Sequence, residues 1–157
     1  MALKSESRAL LAPSLKWDQR FLELAHRVGF WSKDPSTQVG AVIVREDRTI
    51  AALGFNGLPR GVNDSTDRYD DRATKYLMTV HAEANAIASA RSSVEDCTIY
   101  VSPLHPCAQC AALLIQAGIR RVVARESHRP DWQKQFELAA MMFAEAGVRV
   151  TLFCDGV

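Results

Sequence analysis

Residues 98–124 read TIYVSPLHPCAQCAALLIQAGIRRVVA. The stretch opens on a β-type run, residues 98–101, and closes on another, residues 121–124. Between them residues 107–117 are rich in Ala and Leu, and Gly118 supplies a helix stop. Pro106 suits the first turn of a helix, because the N–H it lacks would have no partner there. The unit therefore predicts strand–helix–strand. Downstream, residues 131–146 predict a helix with Asp131 as N-cap and Gly147 past its end, and residues 148–153 a closing strand. Upstream, residues 81–91 form an Ala-rich helical stretch. Residues 56–71 are dense in Gly, Pro, Asn and Asp and read as one long loop. Residues 39–44 and 49–55 read as a hairpin turning at Glu46-Asp47. Trp17, Phe21, Leu24, Ala25 and Val28 recur at helical spacing. The order α-β-β-α-β-α-β-α-β predicts an α/β fold with helices on both faces of a sheet.

The chain has 157 residues, 48% of them hydrophobic and 24% charged, which suits one globular domain and argues against disorder. No repeat or linker interrupts it. Residues 16–157 are expected to form the domain, behind a leader of residues 1–15. No apolar run approaches the ~20 residues that cross a bilayer. A formal charge of +1 argues against a strong non-specific grip on nucleic acid. Four cysteines are too few for a disulfide scaffold, so the chain reads as cytoplasmic.

Two segments carry the chemistry: His81-Ala82-Glu83 and Pro106-Cys107-Ala108-Gln109-Cys110. Both fall where a helix begins. Cys107 and Cys110 share a helix face, and the positive end of the helix dipole favours their thiolates. Two thiolates and the His81 imidazole nearly neutralise Zn²⁺. They leave one tetrahedral position for water, as catalytic zinc sites do. Residues two apart diverge on a regular helix, so His81 and Glu83 meet at one metal only at a helix end. Glu83 is then a proton carrier rather than a ligand. This H-x-E with P-C-x-x-C pairing is the known signature of zinc nucleobase deaminases.

On these residues the chain resembles the cytidine and deoxycytidylate deaminase superfamily, nearest to its deoxycytidylate (dCMP) branch. Further matching stretches are Ser32-Lys33-Asp34-Pro35-Ser36-Thr37-Gln38-Val39-Gly40-Ala41, Gly54-Phe55-Asn56-Gly57-Leu58-Pro59, Lys75-Tyr76 and Ile115-Gln116-Ala117-Gly118-Ile119. The resemblance implies a three-layer α/β/α fold on a five-stranded mixed sheet. It implies hydrolysis of a cyclic amidine C–N bond, dCMP going to dUMP and ammonia, which supplies dUMP for dTMP synthesis. His81, Cys107 and Cys110 would hold one zinc and Glu83 would shuttle protons. Asn56 would contact the sugar or phosphate side and Val39 the pyrimidine. Backbone around Ala82 and Ser102 would read the base edge. A homo-oligomer (hexamer or dimer) is implied, and in some members dCTP and dTTP effectors, with Mg²⁺ beside the effector nucleotide. The chain departs from the family pattern in having four residues, Ser102-Pro103-Leu104-His105, where three usually precede Pro-Cys.

For the phosphate the candidates are Lys33, Arg60, Arg68, Arg72 and Lys75, with Lys33 first because it sits in a matching stretch. His105 reads as pocket lining or exposed, with a fourth-ligand role as the competing option. Cys97 and Cys154 read as buried inert thiols, and Arg120, Arg121 and Arg125 as a solvated edge. Alternatives to dCMP are another cytosine nucleotide such as 5-methyl-dCMP or CMP, guanine, or tRNA adenosine. The non-enzyme alternative is a zinc-stabilised binding module.

Overall fold

The computed structural model describes residues 12–154; the leader expectation falls mostly on residues 1–11, outside the described residues. Helix α1 spans Leu15–Gly29, strand β1 Gly40–Val44 and strand β2 Ile50–Phe55. Two short helices follow, α2 (Thr66–Asp70) and α3 (Arg72–Met78), and then α4 (Ala82–Ser89). The second half alternates: β3 (Thr98–Ser102), α5 (Ala108–Gln116), β4 (Arg121–Arg125), α6 (Gln133–Glu145) and β5 (Arg149–Phe153). The sheet order is β2-β1-β3-β4-β5. Strand β1 runs antiparallel to both β2 and β3, whereas β3, β4 and β5 are parallel.

Strand alternation divides the core between two faces. Ala41, Ile43, Ile99, Val101, Val122 and Ala124 point to the face covered by α4, α5 and α6, where Ala82, Ala86, Ala111, Leu114 and Phe143 pack. Val42, Val44, Tyr100 and Val123 point the other way, against Phe21, Leu22 and Ala25 of α1. Both faces of β1 are thereby covered, and all five of its residues are buried. The three-layer expectation holds, with one helix on one face and three on the other.

Two glycines set the positions of elements near the sheet's working edge. A Cβ on Gly54 would overlap the Ala82 carbonyl oxygen and the Ala86 nitrogen, so its absence lets α4 lie directly on β2. Gly118 has φ +83° and ends α5 by turning the chain into β4.

Three expectations need correction. The supposed loop of residues 56–71 holds α2, and α3 starts directly after it. These helices are too short to be stable alone. Side-chain bonds hold them, Tyr69 Oη donating to Asp64 and Lys75 Nζ to Asp34. Asp131 does not cap α6, which begins at Gln133; Asp131 lies in a 3₁₀ turn and accepts from Arg129 instead. Arg121 is no solvated edge. It is buried in a two-pronged ion pair with Asp18, at 2.8 and 2.7 Å, and Tyr100 Oη donates to the same carboxylate.

Candidate metal and active site

The helices α4 and α5 both begin at the edge of the sheet where β3 ends. In α/β sheets, ligands sit outside the carboxyl ends of the parallel strands. His81 is the residue before α4 and Cys107 the residue before α5, with Glu83 and Cys110 in the respective first turns. The ligand atoms of His81, Cys107 and Cys110 all lie within 4.8 Å of one another. His81 Nδ1 is 3.5 Å from Cys107 Sγ and 3.4 Å from Cys110 Sγ. A ring nitrogen offers one lone pair or one proton and cannot bond two sulfurs well. A shared ion explains the convergence better. Tetrahedral zinc with its usual bond lengths would separate sulfur and nitrogen by ~3.6 Å, so the donor set fits.

Charge in the cluster follows from burial and proximity. The Cys107 thiol is pulled down to about 4, chiefly by the hydrogen bond from Cys110 and also by His81. Cys110 is pushed up, because its own S–H donates to the Cys107 thiolate and it is buried. His81 is raised, first by its bond to Cys107. Glu83 is buried and its carboxyl is raised, with desolvation the leading cause. Its Oε2 lies 3.6 Å from Cys110 Sγ.

One cavity joins this cluster to the segments before β1 and after β2. His81, Ala82, Glu83 and Cys107 line it, as do Val39 and Asn56. Asn56 is buried; its Oδ1 accepts from Val39 N at 2.8 Å and its Nδ2 donates to Thr37 O at 2.9 Å. The Asn56 side chain therefore holds the 37–39 segment against the end of β2. Lys75 also lines the wall, buried and 3.1 Å from both Asp34 Oδ1 and Ser36 Oγ. Thr79 is also in the wall, while its hydroxyl is closed to solvent and has no hydrogen-bond partner. Such a group costs about 1–3 kcal/mol unless a ligand or water completes it.

The model for the cytidine and deoxycytidylate deaminase zinc-binding region matches residues 15–126. The chain belongs to this family. A protein of Aliivibrio fischeri described as an uncharacterized deaminase in the luxG 3′ region is 49% identical over 139 residues. That alignment covers 87% of this deaminase and 92% of the relative. The deoxycytidylate deaminase of Mus musculus is 39% identical over 145 residues, which are 88% of this chain and 80% of that one. The crystal structure of the dCMP deaminase of cyanophage S-TIM5, in complex with dCMP and dUMP, superposes with a TM-score of 0.73 at 22% identity. The superposition covers 90% of this chain and 100% of that one. It speaks for the shared fold.

Not every residue picked out by the sequence reaches the cavity of the deaminase. Lys33 is not in the wall: its ammonium pairs with Asp64 at 2.6 Å and its side chain is 67% exposed. Ser102 is buried but also not in the wall. It pairs with Gly40 at the end of β3, and its hydroxyl is 3.4 Å from His26 of α1, on the opposite face. The residues after it, Leu104 and His105, take its place in the wall. His105 is buried against Phe136 and Phe143, with Nδ1 2.9 Å from the Pro106 carbonyl, and stands outside the metal cluster. Cys97 is buried, whereas Cys154 is exposed beyond β5 with Sγ 2.9 Å from Glu126. Arg129 and Trp132 line the cavity and were not expected there. They precede α6 in sequence, and only the packing of α6 beside α5 brings them to the site.

Proposed function

We propose that this chain is a zinc-dependent hydrolytic deaminase that converts dCMP to dUMP and ammonia. One observation carries the reading. His81, Cys107 and Cys110 converge within 4.8 Å at two helix starts, beside the buried Glu83, in a cavity that Val39 and Asn56 also line. The 39% identity to a deoxycytidylate deaminase over most of both chains supports dCMP as the substrate.

In this reading His81, Cys107 and Cys110 would hold zinc, which when bound would supply a water ionised near neutral pH. Glu83 takes a proton from the water and passes it to N3 of the cytosine as the water oxygen bonds to C4. Glu83 then carries the second proton to the departing amine, and the C4–N bond breaks. Burial prepares the carboxyl for this traffic by raising its pKa toward the working range. Val39 packs on the pyrimidine and Asn56 contacts the sugar. Ala82 is the first residue of α4, so its N–H has no partner inside the helix and serves to read the base edge. Residues 16–157 act as one domain. The reading extends to a homo-oligomer (hexamer or dimer), to dCTP and dTTP effectors with Mg²⁺, and to a cytoplasmic setting.

The test is ammonia release by the purified zinc protein from dCMP, CMP, 5-methyl-dCMP, deoxycytidine and guanine, with and without chelator. Turnover of dCMP that the chelator abolishes is the expected result. No release from dCMP overturns the proposal. CMP and 5-methyl-dCMP are included because Leu104 and His105, from the segment longer than the family pattern, stand in the wall.

A further inference from the structure

Among the described residues three cations line the cavity: Arg72, Lys75 and Arg129. Asp34 and Ser36 already engage Lys75. The two arginines are arranged differently. Arg129 Nε donates to Asp131 Oδ1 at 3.3 Å, and Nη2 donates to Asp131 Oδ2 at 2.9 Å. Arg129 Nη1 donates to Thr37 Oγ1 at 3.2 Å. Arg72 Nη2 stands 3.7 Å from the same Asp131 Oδ2, and its guanidinium lies over the Tyr76 ring at 5.1 Å. Two guanidiniums thus share one carboxylate, and the group keeps one positive charge in excess. Asp131 is absent from this wall but lines the adjoining cavity, which shares Arg72, His81, Cys107 and Trp132 with it. From that side its carboxylate holds both guanidiniums and neutralises one of them.

A guanidinium carries five N–H donors. Three of those on Arg129 are engaged, which leaves two for a ligand. Thr37 accepts from Arg129 through its hydroxyl and from Asn56 through its carbonyl, so Arg129 continues the wall directly beyond Asn56. The Arg129 side chain is 33% exposed, so its anchoring leaves it open to a ligand. The other acidic group at the rim, Asp70, is exposed, and solvent screens it.

We infer that Arg129, seated by Asp131 and Thr37 and seconded by Arg72, binds the 5′-phosphate of a pyrimidine nucleoside monophosphate. The inference rests on the deaminase reading above. The chemistry suits the assignment, because a planar guanidinium presents paired donors to phosphate oxygens. Anchoring by Asp131 and Thr37 also reduces the side-chain freedom lost on binding. Lys33, engaged with Asp64 outside the wall, has no such geometry.

The experiment compares the zinc enzyme with Arg129→Gln, Arg129→Lys and Arg72→Gln, using dCMP and deoxycytidine as paired substrates. Arg129→Gln is expected to raise KM for dCMP at least ~10-fold, the loss that goes with removing charge-assisted hydrogen bonds. Its kcat/KM for deoxycytidine stays within about twofold, since that substrate lacks the group being recognised. Arg129→Lys recovers part of the loss, having the charge without the fork. Arg72→Gln shows the same substrate-dependent loss, but smaller. An equal fall on both substrates makes Arg129 a structural clip and overturns the inference, as does an unchanged KM for dCMP. Arg72→Gln, on an exposed side chain, still decides the matter should Arg129→Gln not fold. If the unaltered enzyme deaminates neither substrate, the functional reading fails. Calorimetry with dUMP and deoxyuridine then judges the subsite. Tighter binding of dUMP that Arg129→Gln abolishes supports it, and equal binding of the two overturns it.

Discussion

Replacing Glu83 with Gln keeps the size of the side chain while removing its ability to carry a proton. General acid–base catalysis by one group is worth about 10²–10⁴ in rate. The structure places the expected loss at the upper end. Glu83 would serve two proton transfers in one turnover, and among the described residues no other carboxylate in the wall can substitute for it. Asp34 is committed to Lys75 at 3.1 Å, and Asp70 is exposed at the rim. A fall of ~10⁴ in kcat corresponds to about 5.5 kcal/mol of barrier. Zinc content should stay unchanged, since the three converging ligand atoms belong to His81, Cys107 and Cys110. The assay follows ammonia release from dCMP in parallel with zinc by atomic emission and with thermal unfolding. Undiminished turnover would remove Glu83 from the mechanism. Zinc loss in proportion to the lost activity would make it a ligand instead, and the division of labour argued above would fail.

Other expectations follow from the same geometry. Cys110→Ser should leave zinc substoichiometric and stop ammonia release, read by metal analysis; full zinc occupancy in that variant would refute the three-ligand site. Asp18→Ala strands the buried Arg121 guanidinium and should cost about 3–5 kcal/mol in urea unfolding, because an unpaired buried charge is expensive. Gly54→Ala forces a Cβ into the backbone of α4 at Ala82 and Ala86. Overpacking of this kind costs about 1–3 kcal/mol, and zinc affinity should fall before the fold is lost, as metal titration and melting curves run together will show. Lys33→Gln should leave kcat/KM for dCMP within about twofold, because its partner is the exposed Asp64 outside the cavity.

The parts of the molecule that could be read from sequence are those in which chemistry and local pattern coincide. The Cys107 and Cys110 pair alone would equally suit a redox couple or a structural zinc site, and it is His81-Ala82-Glu83 beside it that points to a catalytic metal. His81 and Glu83, two apart, demanded a helix end, and the structure puts α4 one residue after His81. The β-type runs at residues 39–44, 98–101 and 121–124 are equally plain. What sequence could not show depends on long-range contact. Arg121 looks like one of several surface arginines until α1 brings Asp18 across the sheet to meet it, 103 residues away. Lys33 sits in a family-matching stretch, yet Asp64 draws its ammonium away from the cavity. Arg129 belongs to no motif and gains its position from Thr37 and Asp131. Asp131 has the composition of an N-cap, but the two arginines compete for its carboxylate and prevail.

The mixed direction of the sheet is what turns these scattered residues into one site. The ends of β3 and β4 with their following helices would form a ligand edge in any parallel sheet. Here β1 runs antiparallel to β3, so Gly40 at its start lies opposite Ser102 at the end of β3. Val39 therefore stands at the same edge as the start of α5. Strand β2 reverses again, pairing Phe55 with Gly40, and so delivers Asn56 to that edge as well. Had β1 been parallel to β3, its five residues at ~3.3 Å each would have carried Val39 about 15 Å away, to the opposite edge. The antiparallel half thus supplies the groups that would grip the base and sugar, and the parallel half supplies the two sulfurs that would bind the metal. Helix α4, seated on β2 by Gly54, crosses between the halves and brings His81 and Glu83 to the seam. Loss of the β1–β3 pairing would therefore separate metal from substrate even with every ligand residue intact.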